Sequence, residues 1–363
     1  MKNLRLLGYI CFSLFVANCT KDSDSETVTP VESEVQSLYF PPIDSDSWEG
    51  ISLEELNWNV SAEQELFALL TEKGTKAFIV LKNGKIAIEW YGDNFTSNTP
   101  WYWASAGKTL TSFTTGIAAE EGILTLSDKT SDYLGKGWTS IPGEKEDLIT
   151  IWHQLTMTTG LDETTWDCKT PDCLTYVDDA GLRWSYHNAP YTLIQDVVAN
   201  ASMTTFESYF TNKLKNKIGM TGQWVSDGRN NTYWSNARSM ARFGLLNLNN
   251  GVWEGTPILN DPDYLSDMKN TSQDLNKSYG YLWWLNGKES SMAPGSQLVF
   301  TTELIPNAPA DLYAGLGKND QKLYVVPSQN LVVVRMGQDS GDATLGPSSF
   351  DNELWRLISE LIQ

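Results

Sequence analysis

The sequence predicts an α/β fold of the α+β kind. One antiparallel sheet is assembled from both ends of the chain, flanked by helices, with a helical insertion over about residues 110–270. Three observations carry this. Two β-prone runs, 77–81 and 86–91, are separated by Lys82-Asn83-Gly84-Lys85, and Asn-Gly between such runs is a strong hairpin signal. Strand patterns then vanish until 279–285, 322–326 and 331–336, which are aromatic or β-branched. Between the two groups, apolar residues recur at helical spacing. Strands from both ends can share a sheet, which puts a cleft between that sheet and the inserted helices.

In chain order, a helix is expected over 62–72, ahead of the hairpin. Helical patterns follow over 105–121, 149–157, 189–199, 206–218 and 236–246. The last two strands are joined by Pro327-Ser328-Gln329-Asn330, residue types that suit a turn. An amphipathic helix over 352–362 closes the chain, with Leu354, Leu357, Ile358 and Leu361 on one face.

Ahead of the folded part, Lys2 and Arg5 precede an apolar run over 6–17 that is short for a membrane span, so 1–18 reads as an export signal. Val16-Ala17-Asn18-Cys19 resembles a bacterial lipoprotein signal in which Cys19 is lipidated, although Asn18 stands where a small residue is usual. Residues 19–45, rich in Ser, Asp, Glu, Pro and Thr, read as a flexible acidic linker before a domain over 46–363. The expected location is the periplasm or the outer-membrane or cell surface, with the membrane reached only through the N-terminal lipid. Cys168 and Cys173 flank Lys-Thr-Pro-Asp, and in an oxidising compartment a local disulfide is the natural reading. The two histidines, His153 and His187, show no metal-ligand spacing. With 45 Asp and Glu against 26 Lys and Arg, the net charge of -19 repels phosphate backbones, so nucleic acid is not an expected partner. A monomer is expected.

The chemistry-bearing residues begin at Ser105-Ala106-Gly107-Lys108. A serine opening a helix can be a simple N-cap, but the lysine lies one turn on, on the same face. A lysine desolvated in a pocket has a depressed pKa and can take a hydroxyl proton. Tyr186-His187-Asn188 precedes the helix over 189–199; the phenol can relay protons and the carboxamide can orient the lysine and a substrate amide. His153 reads as a packed, hydrogen-bonded side chain, and no Gly-x-Ser-x-Gly elbow is present, so a Ser-His-Asp route is disfavoured. Trp101, Trp103, Trp184, Trp283 and Trp284 lie near these positions. At least half are expected in the core, and any that line the cleft would favour a hydrophobic acyl or aromatic leaving group.

The ordered set resembles the class C β-lactamase-like and penicillin-binding-protein-like serine hydrolases, from about residue 75 to the end of the chain. The family motifs Ser-x-x-Lys and Tyr-x-Asn are matched by Ser105/Lys108 and Tyr186/Asn188. The third motif, Lys-Thr-Gly or His-x-Gly, has its counterpart at Gly317-Lys318-Asn319-Asp320-Gln321. The resemblance places Lys318 at the cationic position and Asp320 where a glycine is usual; from the residues alone, Lys318 is equally a turn lysine at a hairpin mouth. It further implies oxyanion donors in the backbone amides of Ser105 and Gln321, and acyl transfer through Ser105 without cofactor or metal. Esters, amides, D-amino-acid peptides and β-lactams are all handled on this scaffold, so fold does not choose among them. The expectation is an esterase, amidase or D-amino-acid peptidase-like enzyme on small or peptide-like substrates. A true β-lactamase or D-Ala carboxypeptidase is the alternative. A catalytically silent peptidoglycan- or peptide-binding lipoprotein is a reading of another class.

Overall fold

Asn83 and Gly84 both adopt positive φ, 51° and 83°, as a two-residue hairpin turn matched to strand twist requires. They join β1 (Thr75–Lys82) to β2 (Lys85–Tyr91) in a computed structural model that describes residues 37–341 and 345–363. The expected export signal, Cys19 and the first part of the linker lie outside the described residues. The remaining strands used below are β3 (Trp101–Tyr102), β4 (Gln223–Ser226), β5 (Asn231–Ser235), β6 (Trp284–Leu285), β7 (Tyr313–Gly317), β8 (Gln321–Val326) and β9 (Leu331–Gly337). The main helices are α1 (Glu63–Glu72), α2 (Lys108–Glu120), α3 (Asn188–Ser202), α4 (Ala237–Leu248) and α5 (Ser349–Ile362).

The first hairpin pairs with the last strand. The sheet order is β2-β1-β9-β8-β7-β6, antiparallel throughout, with Val80 opposite Val333 and Leu323 opposite Val334. Both ends of the chain thus build one sheet, as expected. Every residue of β8 and β9 is buried. Both faces are covered, which is why Leu331-Val332-Val333-Val334 shows no polar alternation. On one face α5 sets Trp355 edge-on against Tyr324, ring centroids 5.5 Å apart. On the other, α4 approaches so closely that a Cβ on Gly244 would lie 2.5 Å from Val332 Cγ1. This helix was expected within the insertion; the close approach at glycine makes it a cover of the sheet instead. A small second sheet, β3-β5-β4, stands beside the start of α2.

Two further expectations are revised. Residues 37–45 pack on the domain rather than acting as linker: the Arg242 guanidinium donates to the carbonyls of Pro42 (2.8 Å) and Ser45 (3.2 Å), and Phe40 stacks edge-on against Trp253. A buried guanidinium needs acceptors, and this segment supplies them. Of the expected strand over 279–285 only β6 pairs in the sheet, because Leu282 takes φ 62° and turns the chain.

The turn between β7 and β8 explains the unusual Asp320. Asn319 and Asp320 both have left-handed backbones, φ 58° and 55°. Glycine is the easy occupant there, and Asn and Asp tolerate it better than most residues. The Asp320 side chain is buried and multiply paired. Its Oδ1 lies 3.0 Å from Lys322 Nζ and accepts from Ser348 Oγ at 2.6 Å; its Oδ2 accepts from Ser340 Oγ at 2.5 Å. Lys322 also donates to Asp351 Oδ2 at 2.9 Å, and Tyr324 donates to the same carboxylate. Arg335 donates to the Asp320 carbonyl at 2.9 Å. Two buried carboxylates and two buried cations thereby balance. Burial alone would raise the Asp320 pKa; Lys322 and the two serine hydroxyls outweigh it and hold it low. Restoring the usual residue should therefore harm the fold. We expect Asp320→Gly to lose about 2–4 kcal/mol in urea denaturation at neutral pH, because leaving the buried Lys322 and Arg335 with Asp351 as the one remaining carboxylate of the network outweighs the relieved backbone strain.

Candidate active site

Ser105 sits half-buried in a 3-10 turn, Ala104–Gly107, that runs into α2. The small sheet pins that turn: the Trp103 N–H donates to the Tyr233 carbonyl and its indole to Ser235 Oγ, both at 2.8 Å. Ala104 has φ 46°, a strained backbone immediately before the serine. From the other side, strand β7 closes on the turn at Gly317. A Cβ there would meet Trp103 O at 2.6 Å, Ala106 N at 2.9 Å and Ser105 N at 3.1 Å, all backbone atoms that cannot step aside.

Lys108 is only 1% exposed. Its Nζ lies 2.8 Å from Ser105 Oγ and donates to Asn188 Oδ1 at 2.7 Å. The same nitrogen sits 4.8 Å from the Tyr186 ring centroid and 4.1 Å from that of Tyr191. Burial pushes its pKa well below the ordinary lysine value, and the Asp167 carboxylate opposes that only in part. The Tyr186 hydroxyl is buried without a partner at hydrogen-bond geometry, and burial raises its pKa. It nevertheless lies near enough to Ser105 for that side chain to favour the ionised phenol. The structure thus gathers Ser105, Lys108, Tyr186 and Asn188, residues drawn from positions 80 apart in sequence. A hydroxyl facing a neutral amine, with a phenol alongside, can exchange a proton with an attacking or leaving oxygen or nitrogen.

The cleft above Ser105 has a volume of about 440 Å³. Lys318 lies on its wall, exposed, at the mouth of the β7–β8 hairpin. Gln321 does not line the cleft. Its buried carboxamide donates to the carbonyls of Asn319 and Gly337, both at 2.7 Å, and so braces the turn that carries Lys318. Neither histidine reaches the serine. His153 Nδ1 accepts from the Thr150 N–H at 3.1 Å in a helix cap, and His187 is buried at the start of α3; burial pushes both down to about 4. None of the five tryptophans singled out from the sequence lines the cleft: Trp103, Trp184, Trp283 and Trp284 are core residues and Trp101 is half-buried.

Other residues form the walls: Tyr102, Trp166, Asp167, Asn230, Thr232 and Leu345. No motif marks them in the sequence. The one available signal is the pair Cys168 and Cys173, which are bonded as expected, with Cα atoms 5.8 Å apart, directly after Trp166 and Asp167.

The chain belongs to the β-lactamase family, whose model matches residues 67–354. This is a family of serine hydrolases. Among solved structures it is similar to a protein from Bacillus anthracis described as a 6-aminohexanoate-dimer hydrolase, at 19% identity over 89% of each chain and a TM-score of 0.68. It is also similar to a family VIII carboxylesterase, at 14% identity over 83% of this chain and 96% of that one, TM-score 0.62. A β-lactamase/D-alanine carboxypeptidase from Yersinia pestis matches at 16% identity over 84% and 100%, TM-score 0.60. These likenesses concern the fold. No curated protein gives a significant match.

The close approach at Gly317 yields a direct expectation. Gly317→Ala should keep a folded protein but force β7 away from the turn, lowering the rate of covalent serine labelling by on the order of a hundredfold. A labelling rate equal to the parent's, with unchanged circular dichroism, would show that the strand's approach does not matter.

Proposed function

We propose that this protein is an exported serine hydrolase that forms an acyl-enzyme on Ser105, acting as an esterase, amidase or D-amino-acid peptidase-like enzyme on small or peptide-like substrates. One observation carries the reading: a fully buried amine 2.8 Å from the hydroxyl of a helix-initiating serine. Burial disfavours the charged form of this amine, and its neutral form has a lone pair for the hydroxyl proton.

In the proposed cycle, Ser105 Oγ forms a bond to the substrate carbonyl carbon as its proton passes to Lys108 Nζ. The carbonyl oxygen becomes an oxyanion held by the backbone N–H of Ser105, a donor worth roughly 3 kcal/mol. Collapse expels the alcohol or amine, which takes its proton from Lys108 directly or through Tyr186. Water repeats the sequence on the ester and frees the acid. Asn188 holds Lys108 and offers its amide to the substrate.

Substrate size and polarity follow from the walls. A cleft of about 440 Å³ with Asn188, Asn230, Thr232 and Asp167 suits a compact polar amide or ester, with Trp166 and Tyr102 beside an acyl or leaving group. Two of the three structural relatives, described as a 6-aminohexanoate-dimer hydrolase and a carboxylesterase, support the same class. A dedicated β-lactamase is disfavoured by the third motif, where a left-handed Asp320 stands in place of the usual glycine.

A fluorophosphonate probe should label Ser105, and p-nitrophenyl esters or D-aminoacyl anilides should be turned over in preference to nitrocefin. Folded protein that takes no serine adduct would favour a silent binder. Lys108→Ala should lower kcat by about a hundredfold or more with KM little changed. The sign with pH is fixed by the depressed lysine: activity is lost as pH falls through the Lys108 pKa, and that limb lies well below the ordinary lysine range. Turnover that rises only above that range would remove Lys108 as the proton acceptor.

A further inference from the structure

Asp167 lies in the cleft wall although no motif contains it. Its Oδ1 accepts from Asn188 Nδ2 at 2.6 Å, while Asn188 Oδ1 accepts from Lys108. The carboxamide is therefore tied at both ends, and only one of its two orientations satisfies both partners. A carboxylate can only accept, so it selects the Nδ2 end, leaving the oxygen for the lysine.

The loop that presents Asp167 is held at several points. Trp166 has φ 45°, a left-handed backbone rare for a bulky residue, and its carbonyl accepts from the Ala189 N–H at 3.2 Å, in the first turn of α3. The disulfide follows at once, and the Glu163–Arg183 ion pair clamps the loop's start. The positive end of α3 favours an anion at this point.

We infer that Asp167 is a positioning residue: by fixing the Asn188 carboxamide it directs the Lys108 lone pair at Ser105. This rests on Lys108 being the proton acceptor. A neutral amine has two N–H bonds and one lone pair. With Asn188 Oδ1 facing it, one N–H is engaged, the other faces the Tyr186 and Tyr191 rings, and the lone pair is left for the Ser105 hydroxyl. With the amide reversed, Asn188 Nδ2 would donate into that lone pair and withdraw it from the serine. The same carboxylate also favours the ammonium form of Lys108. The groups facing the Lys108–Asp167 unit are Ser105 from the turn, Tyr186 and His187 from the segment before α3, Tyr191 from α3 and Lys318 across the cleft.

The test follows phosphonylation of Ser105 by an uncharged fluorophosphonate across pH, in the full-length protein, alongside thermal melting. In Asp167→Ala the plateau rate should fall about tenfold or more as the amide loses its orientation. Its acid-side midpoint should move to lower pH, because the charge that favoured the ammonium is gone. Asp167→Asn, whose carboxamide oxygen can still accept from Asn188, should show the same midpoint shift with more of the plateau retained. A wild-type plateau in Asp167→Ala overturns the inference. So does a midpoint unmoved in both variants, since loss of folded protein lowers the amplitude without moving a midpoint. If Lys108→Ala reacts like the parent, the failure lies instead with the proton acceptor itself.

Discussion

An amine buried against a hydroxyl is the constraint around which this molecule is arranged. Lys108 is held in a shell made of Ser105, Asn188 and the faces of Tyr186 and Tyr191. Taking a lysine out of water disfavours its charged form, and the aromatic faces and Asp167 recover only part of that loss. What remains is an amine whose charged form is disfavoured, next to a nucleophile. The desolvation that makes Lys108 useful also has to be sustained by the fold, which explains why α2, α3 and the segment before α3 are buried so thoroughly at this point.

Two further requirements meet the same turn. The small sheet fixes Trp103, and β7 must come within van der Waals distance of the backbone at Ser105, which only glycine at 317 permits. The strand is steered there by the turn that follows it. Asp320 accepts a left-handed backbone and repays it with a buried, charge-balanced network reaching Lys322, Asp351, Ser340 and Ser348. That network also anchors the segments on either side of the stretch leading to Leu345 on the cleft wall. A residue that looks like damage to the third motif is thus part of the frame that holds it.

Much of this was legible in the sequence, for local reasons. The Asn83-Gly84 hairpin, the apolar run of β9 and the stripe of α5 depend on turn chemistry and periodicity, which sequence carries directly. Ser105 and Lys108 were legible because one helical turn brings them together, and Tyr186 and Asn188 because they form a short ordered motif. Strand β7 was not: Ala314-Gly315-Leu316-Gly317 has poor strand propensity, and its place is set by contact with Thr109 and the Ser105 turn. Nor was the boundary at 37–45, whose packing is dictated by the acceptor needs of Arg242, a residue two hundred positions away.

The cleft walls escaped the sequence for a related reason, and that bears on how substrate choice is organised. Ser105 and Lys108 stand on elements locked into the core, so their geometry is common property of the fold. Trp166, Asp167, Asn230, Lys318 and Leu345 all come from connections between elements, where side chains change without disturbing the core. Of these, only Asp167 reaches inward to touch the proton-transfer group, through Asn188. The loop after residue 162 therefore has two duties, shaping what enters and setting the amine that acts on it. Its clamps, the ion pair, the disulfide and the strained Trp166, are those expected of a loop whose small displacements would be felt at the reacting atoms.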